Sequence, residues 1–234
     1  AHLAQAMAKA GARVALGARR TELTEQIAAE IREAGGEALA VPMDVTSEAS
    51  VAEAFERAEK ALGPVDTVVA NAGVSRYGRS TDLAEADLRQ VYDTNLLGVH
   101  LTANAAARMM MAAGSRKSGQ GRIVIVGSIT AQLTGQGDAA YAGSKAGVAH
   151  LGRQLAREWV RQGINVNVVQ PGYIRTELVG DWFDSEGGKA QIDSWHRRRI
   201  MGIDALDDMV LYLCSDAAGH ITGSTITVDD GQSL

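Results

Sequence analysis

Arg122-Ile-Val-Ile-Val-Gly-Ser128 places four β-branched residues in succession and then stops at a glycine and a serine. Two heavy atoms on Cβ stiffen such residues and suit them to a strand. A strand exposed on one face alternates apolar with polar. An unbroken apolar run instead predicts a strand covered by helices on both faces, as in a parallel sheet. Beyond Ser128, Tyr141-Ala-Gly-Ser-Lys145 heads a longer segment whose apolar residues recur at helical spacing.

The same grammar extends in both directions. Strands are predicted at 13–18, 38–42, 67–70, 122–126, 165–169 and 225–228. Helices are predicted at 21–34, 47–62, 85–111, 140–161 and 204–214. Gly11, Gly35, Gly63, Gly114 and Gly163 follow helical segments, where a left-handed residue closes the last turn. Strand–helix alternation of this kind means an α/β fold. It predicts a doubly wound, mostly parallel sheet of the Rossmann type in three αβα layers, as a single domain over residues 1–234.

Composition narrows the function classes. The 234 residues are 46% hydrophobic, enough for one sizeable core. Lys+Arg 23 against Asp+Glu 28 gives net charge −5, which argues against a nucleic-acid surface. No apolar run reaches membrane-spanning length, so no membrane partner is expected. Cys214 is the single cysteine. One thiol provides neither a disulfide framework nor a metal cluster, and it points to a reducing, cytoplasmic setting.

Ligands of open parallel sheets bind beyond the carboxyl ends of the strands. Five predicted strand ends carry special residues: Arg19-Arg20, Asp44, Asn71-Ala72-Gly73, Ser128 and Pro171-Gly172. Tyr141 and Lys145, four apart, share one helix face. A neighbouring ammonium favours phenolate over phenol, so Lys145 is expected to pull the Tyr141 pKa down. A hydroxyl, a tunable acid and a cation are the groups that proton transfer to a carbonyl oxygen requires.

On these residues the chain resembles the short-chain dehydrogenase/reductases across essentially its whole length. The matching motifs are Asp44-Val45, Asn71-Ala72-Gly73, Asn95 in Thr-Asn-Leu-Leu-Gly, Ser128, Tyr141-x-x-x-Lys145, Pro171-Gly172 and the closing Ile221-Thr-Gly223 to Asp229-Asp-Gly231. The resemblance implies a catalytic tetrad of Asn95, Ser128, Tyr141 and Lys145. Tyr141 is then the general acid and base, and Ser128 holds the substrate oxygen. Lys145 binds the nicotinamide ribose, and Asn95 anchors a water in the proton relay. Asp44 and Val45 would meet the adenine, and Asn71, Ala72 and Gly73 the cofactor backbone. Ile174 and Thr176, beyond Pro171 and Gly172, would meet the carboxamide.

The resemblance also frames the cofactor and the partners. Where NAD-specific members carry an acidic residue, this chain has Ala18 followed by Arg19 and Arg20. A guanidinium can fork a 2′-phosphate, so NADP(H) is expected, with Arg19 as the main contact and NAD(H) as the alternative. A small carbonyl or alcohol substrate and a homotetramer or homodimer are implied. Members such as 3-oxoacyl-carrier-protein reductases and gluconate or sugar-alcohol dehydrogenases are the nearest in pattern, so an NAD(H)-dependent polyol dehydrogenase stays open. A non-catalytic cofactor-binding module is disfavoured because Tyr141 and Lys145 are both present.

Two further expectations follow. The family's opening strand and its Thr-Gly-x-x-x-Gly-x-Gly turn are not found. Residues 1–11 correspond to the helix after that turn, as in a piece of a longer chain. The neighbouring strands should then show apolar surface and unpaired backbone. Residues 177–203 correspond to the substrate lid and hold Trp182, Phe183 and Trp195, as a pocket wall or a loop anchor. Asp184-Ser-Glu-Gly-Gly188 reads as a flexible turn, and His196-Arg-Arg-Arg199 as a solvated or inter-subunit basic face. Gln132, Gln136 and Tyr173 are candidate pocket residues.

Overall fold

The computed structural model describes residues 1–176 and 180–234. Six parallel strands, β1 (Val14–Ala18), β2 (Ala38–Pro42), β3 (Thr67–Ala70), β4 (Gly121–Val126), β5 (Ile164–Pro171) and β6 (Thr225–Val228), alternate with helices. The helices are α1 (His2–Lys9), α2 (Thr21–Glu33), α3 (Glu48–Leu62), α4 (Glu85–Tyr92), α5 (Gly98–Ala112), α6 (Ser115–Ser118), α7 (Ala139–Trp159), α8 (Glu186–Ser194) and α9 (Asp207–Cys214). No described helix is long and apolar enough to cross a membrane.

Alternation along β4 and β5 divides the molecule into layers. Ile123 and Ile125 of β4 and Val166 and Val168 of β5 point to α3, α5 and α7, packing with Phe55, Ala103, Val148 and Leu155. Val124 and Val169 point the other way, to Leu206 and to Val210 and Leu213 of α9. Each such residue, removed from water, contributes about 1.5–3 kcal/mol. The unbroken apolar run at 122–126 thus has the cause predicted from sequence: both its faces are covered.

The strands form two sheets, ordered β1-β2 and β3-β4-β5-β6. The inner edges of β1 and β3 have no strand partner among the described residues. Between them opens a cavity of about 1490 Å³, with Leu16, Gly17, Val68 and Val69 in its walls. α1 lies beside the gap, with Leu3 on the α9 cluster and Met7 and Ala8 on the β1–α2 cluster. His2 Nε2 is 2.7 Å from Asp207 Oδ2, which ties α1 to α9.

Gly11, Gly35, Gly63, Gly114 and Gly163 all have positive φ, as their cap positions demanded. The predicted helix 85–111 is interrupted by a wider π-turn at Asp93–Leu97. The segment expected to be a flexible turn is instead ordered. Ser185 caps α8 by accepting from Gly188 N at 3.1 Å, and Glu186–Gly188 form its first turn. A Cβ on Gly188 would run into the Trp182 carbonyl, so only glycine lets that turn close.

Candidate active site

β4 delivers the chain at Val126, and after Gly127 it reaches Ser128 in extended conformation, φ −168° and ψ 153°. A tight turn then folds Thr130 back. Its N–H (3.2 Å) and its hydroxyl (2.9 Å) both donate to Ser128 Oγ. With its lone pairs so engaged, Ser128 directs its own hydrogen outward, on the side of Tyr141, whose pKa it lowers. Sequence reading missed Thr130, because a two-residue turn contact leaves no motif.

Tyr141 and Lys145 sit one turn apart at the head of α7, with Lys145 Nζ 5.6 Å from the Tyr141 ring centroid. Lys145 is 4% exposed, and its Nζ donates to Val126 O at 2.9 Å, so the ammonium is pinned to the end of β4. Burial lowers the Lys145 pKa to about 8 and pushes Tyr141 up to about 12. The Ser128 bond opposes the rise at Tyr141, while Tyr77, Tyr173 and Asp138 add to it. The expectation of a phenol pulled down by Lys145 is therefore corrected for the protein's own groups: desolvation of the phenolate sets the direction, and it is upward.

Asn95 is fully buried in the π-turn, a feature that recurs at functional sites. Its Oδ1 accepts from Val74 N at 2.8 Å, and its Nδ2 donates to Val74 O at 2.9 Å and to Ser144 Oγ at 3.1 Å. Ser144 Oγ in turn donates to Tyr141 O at 2.7 Å. The amide thus staples the loop after β3 to the helix that carries Tyr141 and Lys145. It does not bond its own helix.

The remaining predicted residues line the large cavity. Arg19, Arg20, Asp44 and Val45 lie toward the β1–β2 side; Asn71, Ala72 and Gly73 follow β3; Ile174 and Thr176 follow β5. Asp44 Oδ1 accepts from Thr46 N at 3.0 Å and Thr46 Oγ1 at 2.8 Å. These bonds hold its carboxyl below the usual range, with burial opposing and Arg19 assisting. A Cβ on Gly73 would stand 3.7 Å from both Lys145 Nζ and Asn95 Oδ1, so the backbone after β3 runs directly beside these two groups. Pro171 and Gly172 are not among its lining. Gly172 is packed under Gln232 and Asp229, leaving no room for a side chain.

A dinucleotide fits the residues present. The cavity is lined by two arginines and a carboxylate and by Gly73, which stands beside Lys145.

The segment after β5 resolves the two readings of its aromatic residues. Phe183 and Trp195 are buried and pack on Tyr173. Trp195 stacks on the Tyr173 ring at 5.4 Å, and Phe183 meets it edge-on at 5.4 Å. They anchor the segment, whereas Trp182 is exposed and its Nε1 donates to Gln191 at 2.9 Å. Residues 177–179 of the expected lid lie outside the described residues. Arg197 and Arg199, read from sequence as a solvated or inter-subunit face, both pair with Asp230. Gln132 is engaged with Gln170 Oε1 at 3.2 Å, and Gln136 is exposed.

Comparison with known proteins gives a consistent likeness. Residues 1–233 match the family model described as enoyl-(acyl carrier protein) reductase. The chain is 33% identical over 234 residues to a 3-oxoacyl-(acyl-carrier-protein) reductase of Escherichia coli, covering 99% of this chain and 91% of that protein. It is 36% identical over 231 residues to a cis-4-hydroxycyclohexanecarboxylate dehydrogenase of Sinomonas cyclohexanicum, covering 97% and 89%. The crystal structure of a gluconate 5-dehydrogenase from Burkholderia cenocepacia, in complex with NADP and tartrate, superposes with TM-score 0.92 at 30% identity, covering 99% and 89%.

Proposed function

The chain belongs to the short-chain dehydrogenase/reductase family of oxidoreductases, and from that premise we propose that it transfers a hydride between NADP(H) and a ketone or secondary alcohol, with Tyr141 as general acid and base. One observation carries the reading: Ser128, Tyr141 and Lys145 converge where β4 ends, with Lys145 Nζ on Val126 O and 5.6 Å from the Tyr141 ring. Arg19 and Arg20 beside Asp44, with no carboxylate at Ala18, support NADP(H) over NAD(H). So does the relative crystallised with NADP.

In reduction, Tyr141 gives its proton to the substrate oxygen. A phenol raised to about 12 is fully protonated near neutral pH and ready to do so. Ser128, its hydroxyl aimed by Thr130, donates to the same oxygen and stabilises charge as it develops there. The nicotinamide, when bound, supplies the hydride. Lys145 holds the ribose and favours the phenolate left on Tyr141. Asn95 keeps the β3 loop against α7, so that cofactor and acid stay in register. Asp44, Val45, Asn71, Ala72, Gly73, Ile174 and Thr176 hold the rest of the cofactor, with Pro171 and Gly172 shaping the β5 end.

Exposed Tyr92, Leu97 and Val160 lie near the ends of the helices carrying Asn95 and Tyr141, and they support assembly as a homotetramer or homodimer through those faces. A single cysteine, its thiol pushed up to about 11 by burial, suits a reducing cytoplasm.

The test is turnover of an activated ketone with NADPH beside NADH. Wild type should prefer NADPH. Tyr141→Phe should lose about 10²–10⁴-fold in kcat while NADPH binding stays within about threefold, since general acid–base catalysis contributes that much. Undiminished turnover in Tyr141→Phe would remove the acid from Tyr141.

A further inference from the structure

Among the described residues only two that are not glycine have left-handed φ: Arg198 at 47° and Asp230 at 54°. They face each other across one contact. Arg198 lies between Arg197 and Arg199, and both of these grip Asp230. Arg199 is bidentate, Nε to Oδ2 at 2.6 Å and Nη2 to Oδ1 at 3.2 Å, and Arg197 Nη1 adds a third bond to Oδ1 at 3.2 Å. Non-glycine residues in this region carry backbone strain that surrounding contacts must hold, and such strain collects at clamps and switches.

Two residues on, Gln232 is 7% exposed and spans the same junction. Its Oε1 accepts from Tyr173 N at 2.6 Å, and its Nε2 reaches Tyr173 O at 3.3 Å and Arg199 O at 3.4 Å. Tyr173 O also accepts from Met201 N at 3.2 Å, beside the bridge of Ile174 with Met201. Both roots of the segment between β5 and residue 201 are therefore fastened by the turn after β6. The ring of the same Tyr173 carries Phe183 and Trp195 from the middle of that segment.

We propose that Asp230 and Gln232 are positioning residues for the substrate side of the site. They form a clasp that holds the segment from Gly180 to Arg199 closed on Tyr173, and so set the affinity for the carbonyl substrate without touching substrate or cofactor. The inference rests on the hydride-transfer reading. The clasp acts through Tyr173, one of the groups that act electrostatically on Tyr141. Because its arginines are exposed and its carboxylate is only 16% exposed, the contact is partly screened by salt.

Asp230→Asn tests the clasp, because asparagine tolerates left-handed φ and only the charge is lost. With NADPH and ethyl acetoacetate, KM for the ester should rise about five- to tenfold, an expected loss of roughly 1 kcal/mol. The kcat and the Kd for NADPH should stay within twofold. Raising salt to about 0.5 M should raise KM of wild type and leave Asp230→Asn unmoved. Arg199→Ala should be non-additive with Asp230→Asn, and Gln232→Leu should show the same KM rise. Amide hydrogen exchange at 181–199 should speed up in Asp230→Asn while α7 does not change.

An unmoved KM with unmoved exchange at 181–199 would overturn the clasp, as would parallel loss of kcat, NADPH binding and melting temperature. A wild type that reduces no carbonyl with either cofactor would refute the hydride-transfer reading instead. The exchange measurement then decides the clasp by itself.

Discussion

Tyr141 and Lys145 are each shifted by burial toward the neutral form: the phenol to about 12, the amine to about 8. Burial acts on both because α7 presses its first turn against the end of β4. Geometry there is set by the backbone acceptor Val126 O for Lys145 and by the Thr130-held side-chain hydroxyl of Ser128 beside Tyr141. At the other side of the cavity, Arg19 helps hold the Asp44 carboxyl low, so guanidinium and carboxylate act on one region. Arg19→Asp should reverse the local sign there. NADPH affinity should fall by about tenfold or more and NADH use should rise, because a carboxylate repels a 2′-phosphate and accepts from ribose hydroxyls. Titration of both cofactors by fluorescence checks this, and an unaltered preference would exclude Arg19 as the phosphate contact.

Elements are seated by missing side chains as much as by present ones. α7 approaches β5 at Gly152, where a Cβ would collide with Val168 Cγ2 and stand 3.6 Å from Ile125 Cδ1. Val168 is buried and stiff at χ1, so it cannot yield. Gly152→Ala should therefore destabilise by about 1–3 kcal/mol despite alanine's better helix propensity, as overpacked cores do. Because α7 also carries Tyr141 and Lys145, activity should fall with it. Urea denaturation checks the sign, and a stabilised variant would show that the helix is free to shift. The π-turn belongs to this scale too. Its widened backbone puts Asn95 where it can bond the β3 loop rather than its own helix. In sequence, Asn95 was legible as a site residue only through its motif; apolar periodicity ran straight through 85–111 and gave no sign of the interruption.

Over the whole molecule, both sheets are held by helices. β4 and β5 sit between two apolar layers, and β1 and β2 pack on α2, α3 and α1. Fold class, strand positions and the Ser128, Tyr141 and Lys145 cluster were readable in sequence, because short-range rules govern them: uniform apolar runs mark doubly covered strands, glycines mark caps, and Tyr141 and Lys145 share a helix face by spacing alone. Only tertiary structure decided that burial raises the Tyr141 pKa. It also revealed that Thr130 orients Ser128, that Asn95 staples two elements, and that Arg197, Arg199, Asp230 and Gln232 meet. Those depend on desolvation and on contacts between segments far apart in the chain, which no local pattern encodes.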